Sequence, residues 1–301
     1  MGVRRMPYKQ ELQGLIQLLS EYECKNVLRV VGQACEGERF WEGDCGHFYN
    51  EYVKLRYFKL PRDRSTAPPS SAEGSFVPLP VTKSYADAER IVLPEPLPLD
   101  ATLIDTLIHR RSRRSYGGAA ISLVVLSTLL HYACGVAGAV EAYGYSRLPV
   151  RMFPSHGGLQ SSEVYLSIQN VSGAPSGVYH YHAVDHVLES LKRGSQADLL
   201  STLAFDERFF KTAAVVFLLT GCYERLKWKY GERSYRFICI DAGFVAQNLY
   251  LVSHALGLGT CAVSGFAQDG VEELFEIDGR NEIAMLLMTL GAIAEEGPGD
   301  A

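Results

Sequence analysis

Residues 229–249, KYGERSYRFICIDAGFVAQNL, are the stretch from which the fold becomes readable. From Tyr235 the apolar positions continue at helical spacing to Leu256. Gly257 then offers the left-handed residue on which helices commonly end, so one long helix is predicted over 235–256. Downstream the pattern shortens to a strand over 260–264, a short helix with Asp269 near its start, and a last strand over 284–290. Upstream, Ala213 to Leu219 is an apolar run bounded by Gly221, which predicts a strand buried on both faces. Val164, Leu166 and Ile168 alternate with polar residues, as a strand does. Residues 178–191 follow the turn residues Gly173-Ala174-Pro175-Ser176-Gly177 and read as its hairpin partner. Two helices precede these strands. One is expected to be capped by Asp100 and to carry the stripe Leu103, Ile104, Leu107 and Ile108. The other is capped by Ser122, carries Leu123, Leu126, Leu129 and Leu130, and stops at Gly135. Strands interspersed with helices, with an antiparallel hairpin among them, predict an α+β fold rather than a regular βαβ series.

Composition narrows the function classes. With 29 Lys+Arg against 34 Asp+Glu the net charge is −5, which excludes a general nucleic-acid binder. No apolar run approaches the ~18 residues of a spanning helix. Glu11, Gln13 and Gln17 interrupt the apolar residues of the N-terminus, so no signal-peptide core is read there. A soluble, cytoplasmic protein without a membrane partner is expected. Seven cysteines form no CxxC pair, and reduced thiols are the expectation. Cys24, Cys35, Cys45 and His47 have zinc-ligand chemistry, but the cysteines stand ten or more residues apart, unlike the close pairs of structural zinc sites. No metal is expected. Residues 1–60 read as a small N-terminal unit, a candidate interaction module. Eight of the 13 prolines fall between Pro61 and Pro98, so 61–99 reads as an extended connector to a main domain over 100–301.

Four segments carry chemistry. Arg110-Arg111-Ser112-Arg113-Arg114 concentrates fork-shaped donors that suit phosphate oxygens; a solvated basic helix end fits the same residues. Pro154-Ser155-His156-Gly157-Gly158 allows close backbone approach to a ligand, or is a plain turn. In residues 257–266, with Ser264 and Gly265, the glycines follow a helix and enter a strand, the wrong context for a dinucleotide fingerprint. Gly265 can present a bare N–H to a flat ring, or again only turn the chain. Lys229 and Tyr230 pair two groups with reference pKa values near ~10, each a base once burial or neighbours lower it. Arg225, Lys227 and Trp228 beside them also suit an amphipathic, solvent-facing segment.

In this order the four segments resemble the FMN-dependent nitroreductase superfamily, and within it the SagB-type dehydrogenases, the azoline oxidases of thiazole/oxazole biosynthesis. The resemblance runs from about Tyr52 to Leu290. Arg110-x-Ser112-x-Arg114 is similar to the flavin-phosphate and ribityl motif. Pro154 to Leu159, with Glu163-Val164-Tyr165, resembles the PSxGxLxPxE segment beside the isoalloxazine. Residues 229–249 resemble the stretch that separates this branch from simple nitroreductases, with the lysine–tyrosine pair as its catalytic dyad. Lys83-Ser84-Tyr85 and Leu93-Pro94 also match. Gln160-Ser161-Ser162 stands where the branch often has Tyr-Pro, Phe244 replaces a common histidine, and Gly291-Ala292-Ile293 lacks a basic residue that helps hold phosphate.

The resemblance implies a nitroreductase-like fold, a mostly antiparallel sheet flanked by helices. It also implies a homodimer with FMN in clefts between subunits, the Pro154–Gly158 segment and the Arg110 cluster of each site coming from opposite subunits. Arg110, Arg111, Ser112 and Arg114 would hold the cofactor with Pro154, Ser155, His156, Gly157, Ser264 and Gly265. FMN rather than FAD is expected, because no dinucleotide fingerprint is present. Lys229 and Tyr230 would remove a proton from a thiazoline or oxazoline, on a peptide or carrier-bound intermediate, as hydride passes to flavin N5. A cyclodehydratase is the implied partner. Two other functions fit the chain: a nicotinamide-dependent reductase of nitroaromatics, quinones or enones, and a scaffold for the cyclodehydratase.

Overall fold

The chain divides into two units, Met1–Ser65 and Thr66–Ala301. A computed structural model describes residue 80 and residues 82–294, all within the second unit. The expected N-terminal unit over 1–60 and the cluster Cys24, Cys35, Cys45 and His47 lie outside the described residues.

In chain order the first elements are β1 (Arg90–Val92), α1 (Leu103–His109), β2 (Ile121–Ser122) and α2 (Leu123–Cys134). A hairpin of β3 (Val136–Ala142) and β4 (Tyr145–Arg151) follows, then β5 (Ser162–Ile168) and β6 (Val171–Ser172). Next come a second hairpin, β7 (Gly177–His182) and β8 (Val187–Arg193), and two short helices, α3 (Ala197–Leu203) and α4 (Phe209–Thr212). The chain closes with β9 (Val215–Cys222), α5 (Tyr223–Tyr230), α6 (Ser234–Ala255), β10 (Leu258–Val263), α7 (Gln268–Leu274) and β11 (Glu282–Ala292).

Seven strands form one sheet in the order β1-β8-β7-β5-β9-β11-β10, and every neighbouring pair is antiparallel. The central strands β5 and β9 are buried along their whole length. Side chains alternate across a strand, so β9 serves two cores at once. Val215, Phe217 and Leu219 pack with Leu126, Leu129 and Leu130 of α2 and with Val245 and Leu249 of α6. Val216 and Leu218 pack on the other face with Leu200 of α3 and with Val271 and Leu274 of α7. This explains a departure in β5. Its polar residues Glu163 and Ser167 do not face solvent but are fully buried, because helices cover both sheet faces.

The long helix and the Ser122 cap stand as expected: Ser122 Oγ accepts from the Val125 amide, and Gly257 has φ +70°. The first helix is corrected. Its N-cap is Thr102, whose hydroxyl accepts from the Asp105 amide, and not Asp100. Its stripe is not core either: Leu103, Ile104, Leu107 and Ile108 are 66%, 71%, 52% and 56% exposed. Within the stretch expected as connector, Arg90–Val92 forms the sheet's edge strand against β8. No helix among the described residues is long and apolar enough to cross a membrane.

Candidate active site

The site is organised by the two ends of α6. Near its start, Asp241 is fully buried, and a buried carboxylate is costly unless hydrogen-bonded. Its partners all come from the 155–161 loop. The His156 amide donates to both oxygens at 3.2 Å, His156 Nδ1 lies at 2.6 Å, and the Ser161 hydroxyl donates at 2.6 Å. One turn earlier, Phe237 stacks on the His156 ring at 4.0 Å and meets the Tyr230 ring edge-on at 4.9 Å. The loop is tightly wound: Gly157, Gly158 and Gln160 have φ of +64°, +69° and +53°. Ser155 Oγ accepts from the Gln160 amide at 3.1 Å.

Lys229 and Tyr230 end α5, which Gly231 stops. Both reach the loop. A Cβ added to Gly157 would stand 2.6 Å from Tyr230 Oη and 3.1 Å from Lys229 Nζ. The positive φ favours glycine there, and both side-chain tips lie close against its backbone. Lys229 Nζ also donates to Tyr143 Oη at 2.5 Å and lies 4.3 Å from that ring's centre.

Below the loop sits a buried ionic brace. Arg225, one turn before Lys229 on α5, donates through Nη1 to the Gln160 carbonyl at 2.7 Å and pairs through Nη2 with Glu163 at 2.5 Å. His180 Nε2 lies 3.3 Å from Glu163, and the Lys83 amide donates to it at 2.9 Å. Burial alone would raise the Glu163 carboxyl; the Arg225 charge and the His180 contact outweigh it and hold the group well below the usual carboxylate range. A cavity of about 580 Å³, lined by Lys83, Cys222, Arg225, Asp278, Asn281 and Glu282, touches this brace but not the dyad or the loop.

At the other end of α6, Tyr250 receives the arginine segment. The Arg110 guanidinium lies over its ring at 4.8 Å, and Ser112 Oγ is 2.9 Å from its hydroxyl. Tyr250 Oη accepts from the Ala262 amide, and the Arg113 amide donates to the Thr260 carbonyl, so the segment is pinned along β10. Arg111 turns back and donates to the Ile108 and Arg110 carbonyls, closing the α1 terminus as a helix-end cation does. Ser112 and Arg114 are exposed, as are Ser264 and Gly265 just past β10. A Cβ on Gly265 would meet nothing nearer than Phe205 at 4.0 Å, so its backbone is open to approach.

The chain thus brings Pro154, Ser155, His156 and Gly157 together with Lys229 and Tyr230, and it groups Arg110, Ser112 and Arg114 separately. Asp241 and Tyr250 are nine residues apart, about 13 Å along the helix. Sequence reasoning missed Tyr143, Arg225 and Phe237. The signals were present: Tyr143-Gly144 is a two-residue turn between two strands, and Arg225 and Phe237 sit one helical turn from Lys229 and Asp241.

The family model described as nitroreductase family matches residues 107–292, and the chain belongs to that family. It is similar to MJ1384 of Methanocaldococcus jannaschii, named for nitroreductases, at 33% identity over 189 residues, which is 63% of this chain and 90% of that protein. It is also similar to the trifolitoxin-processing protein TfxB of Rhizobium leguminosarum bv. trifolii, at 28% identity over 170 residues, 55% of this chain. That match spans 46%, about half, of TfxB. Among solved structures, the Escherichia coli microcin synthetase McbBCD complex with truncated pro-MccB17 bound has a chain of the same fold. Its TM-score is 0.52 at 18% identity, over 97% of this chain and 99% of that one. The class is an oxidoreductase of nitroreductase fold. Within that class, the likeness to a toxin-processing protein agrees with the SagB-type branch.

Proposed function

We propose that the protein is an FMN-dependent azoline dehydrogenase. It turns a thiazoline or oxazoline, carried on a peptide or a carrier-bound intermediate, into the azole. The ring loses a proton from one carbon and a hydride from its neighbour. The observation that carries this reading is the convergence of Lys229 Nζ and Tyr230 Oη on the backbone of Gly157. A base pair held against the loop's backbone suits proton removal from a ring lying on that loop. FMN, when bound, supplies the two-electron acceptor.

The residues present fit that cofactor. Arg110 and Arg114 offer charge-assisted donors to a phosphate, and Ser112 adds a hydroxyl. The loop Pro154–Gly157 and the open backbone at Gly265 suit a flat ring. The resemblance implies that one complete site takes the loop of one subunit and the arginines of another; within this chain the two groups attach about 13 Å apart along α6. The exposed stripe Leu103, Ile104, Leu107 and Ile108, with Ile240 and Phe244 on α6, supports a homodimer that covers it. A cyclodehydratase partner follows from the chemistry, since the azoline must first be closed from an amide and a neighbouring thiol or hydroxyl with loss of water. The names of the processing relatives support a peptide substrate.

The test is single-turnover flavin reduction by an azoline peptide. Lys229→Ala and Tyr230→Phe are expected to keep flavin and dimer while slowing reduction ~10²–10⁴-fold, the double variant losing much less than the product. Unchanged reduction in both variants would remove the pair from the mechanism. The 33% identity to MJ1384 favours a second reading, nicotinamide-driven reduction of nitroaromatics, quinones or enones. Anaerobic bleaching of the flavin by NADPH, but not by the azoline peptide, would select it.

A further inference from the structure

Tyr143 lies outside every segment so far given a role. It stands with Gly144 at the tip of the β3–β4 hairpin, where Ala142 pairs with Tyr145 across a two-residue turn. Both tip residues have positive φ, +55° for Tyr143 and +83° for Gly144. Such turns favour Asn, Asp or Gly at the first position, because other side chains are strained there. A bulky aromatic in a strained backbone points to a use for its side chain.

That side chain reaches back to the dyad across 86 residues of sequence. Its hydroxyl accepts from Lys229 Nζ at 2.5 Å, and its ring lies 4.3 Å from the same nitrogen. Trp228, the residue before Lys229, meets the Tyr143 ring edge-on at 5.7 Å. The hydroxyl also comes within 3.5 Å of the point that a Gly157 Cβ would occupy. Three polar atoms from two elements, Lys229 Nζ, Tyr230 Oη and Tyr143 Oη, therefore ring one spot on the loop. The hairpin itself is a separate two-stranded sheet, and such ribbons hold themselves only marginally.

We infer that Tyr143 is a positioning residue for Lys229: the hairpin tip holds the amine over Gly157 and so aligns the base. The inference rests on the reading of Lys229 as the base of azoline oxidation. A long lysine side chain has many rotamers, and a hydrogen bond at 2.5 Å with a ring beneath it selects one.

The experiment uses the full-length, flavin-loaded protein. Tyr143→Phe keeps the ring and removes the hydroxyl; Tyr143→Asn suits the turn and removes the reach. Both are expected to retain flavin and KM while lowering the rate of flavin reduction by an azoline peptide about 10-fold or more. In the Lys229→Ala background Tyr143→Phe should add no further slowing. A second readout needs no substrate: acylation of Lys229 by an amine reagent, with Lys227 as internal reference, rises severalfold in Tyr143→Phe. Unchanged labelling of Lys229, or an equal slowing by Tyr143→Phe with and without Lys229, overturns the inference. A wild-type flavin that the azoline peptide does not reduce overturns the functional reading instead, and leaves the labelling result to judge Tyr143.

Discussion

The two ends of α6 differ in how their polar groups are held. At the Asp241 end, the carboxylate holds His156 and Ser161, and Arg225 holds the Gln160 carbonyl and closes the brace with Glu163, both charges buried. At the Tyr250 end, Arg110 rests on one aromatic face, and Ser112 and Arg114 stay exposed. The first end is organised by its own chain before anything binds. The second carries charge at the surface, where a ligand can reach it. A loop that aligns reacting atoms needs fixed geometry, whereas a phosphate clamp works through charge and tolerates motion.

This contrast fails first at Arg225. Arg225→Met leaves Glu163 buried without its cation, and losing one partner of a buried pair typically costs about 3–5 kcal/mol. Arg110→Met keeps a long side chain beside Tyr250 and should change the stability of flavin-free protein by about 0.5 kcal/mol or less, as substitutions at half-exposed positions outside buried ion pairs usually do. Urea unfolding of both variants measures the difference, and equal losses would erase it. The pH dependence has a definite sign. Glu163 is held below its unfolded value of ~4.3, so its contribution is complete above that pH and is lost as pH falls through the folded value. The gap between wild type and Arg225→Met should therefore be full at pH 7 and shrink below about pH 4.

The next effect is on the ligand. Arg110→Ala is expected to weaken FMN binding about 10- to 100-fold, the range for loss of a hydrogen bond to a charged group, while leaving Tm of the flavin-free protein unmoved. Flavin titration by fluorescence reads it. Full flavin occupancy in the purified variant would mean that the phosphate lies elsewhere.

These same regions mark how far the sequence could be read. The long helix spans Ser234–Ala255 against an expected 235–256, because a 3.6-residue period and Gly257 are local signals. β9 was legible because a strand covered on both faces is apolar without interruption. The α1 stripe shows the limit of periodicity, which reports that a face wants covering but not by which chain. Local signals marked the residues but not their partners across the fold. Arg225 meets Glu163 from 62 residues away, and Lys229 meets Tyr143 from 86. Asp241 stood inside the most specific stretch, yet its role came only from the loop folded onto it.

The smallest effect bears on which chain covers the stripe. Gly243 lies on the exposed face of α6 beside Phe244 and one turn from Ile240, and a Cβ built on it meets nothing within 4 Å. Glycine in an exposed helix interior costs about 1 kcal/mol relative to alanine, through its greater freedom when unfolded. In the isolated subunit Gly243→Ala should thus stabilise by about 0.5–1 kcal/mol, and denaturation at high dilution measures it. If a second copy packs on this face, the added methyl enters space the partner needs. Overpacking of a close interface is destabilising, commonly by about 1–3 kcal/mol. The dimer should then dissociate at higher concentration than wild type does, as followed by light scattering across a dilution series. A more stable subunit in a weaker dimer is a pair of opposite signs that a free helix surface cannot produce. If Gly243→Ala stabilises the fold and leaves association untouched, the partner does not approach α6 at this position, and the apolar stripe of α1 must be covered without it.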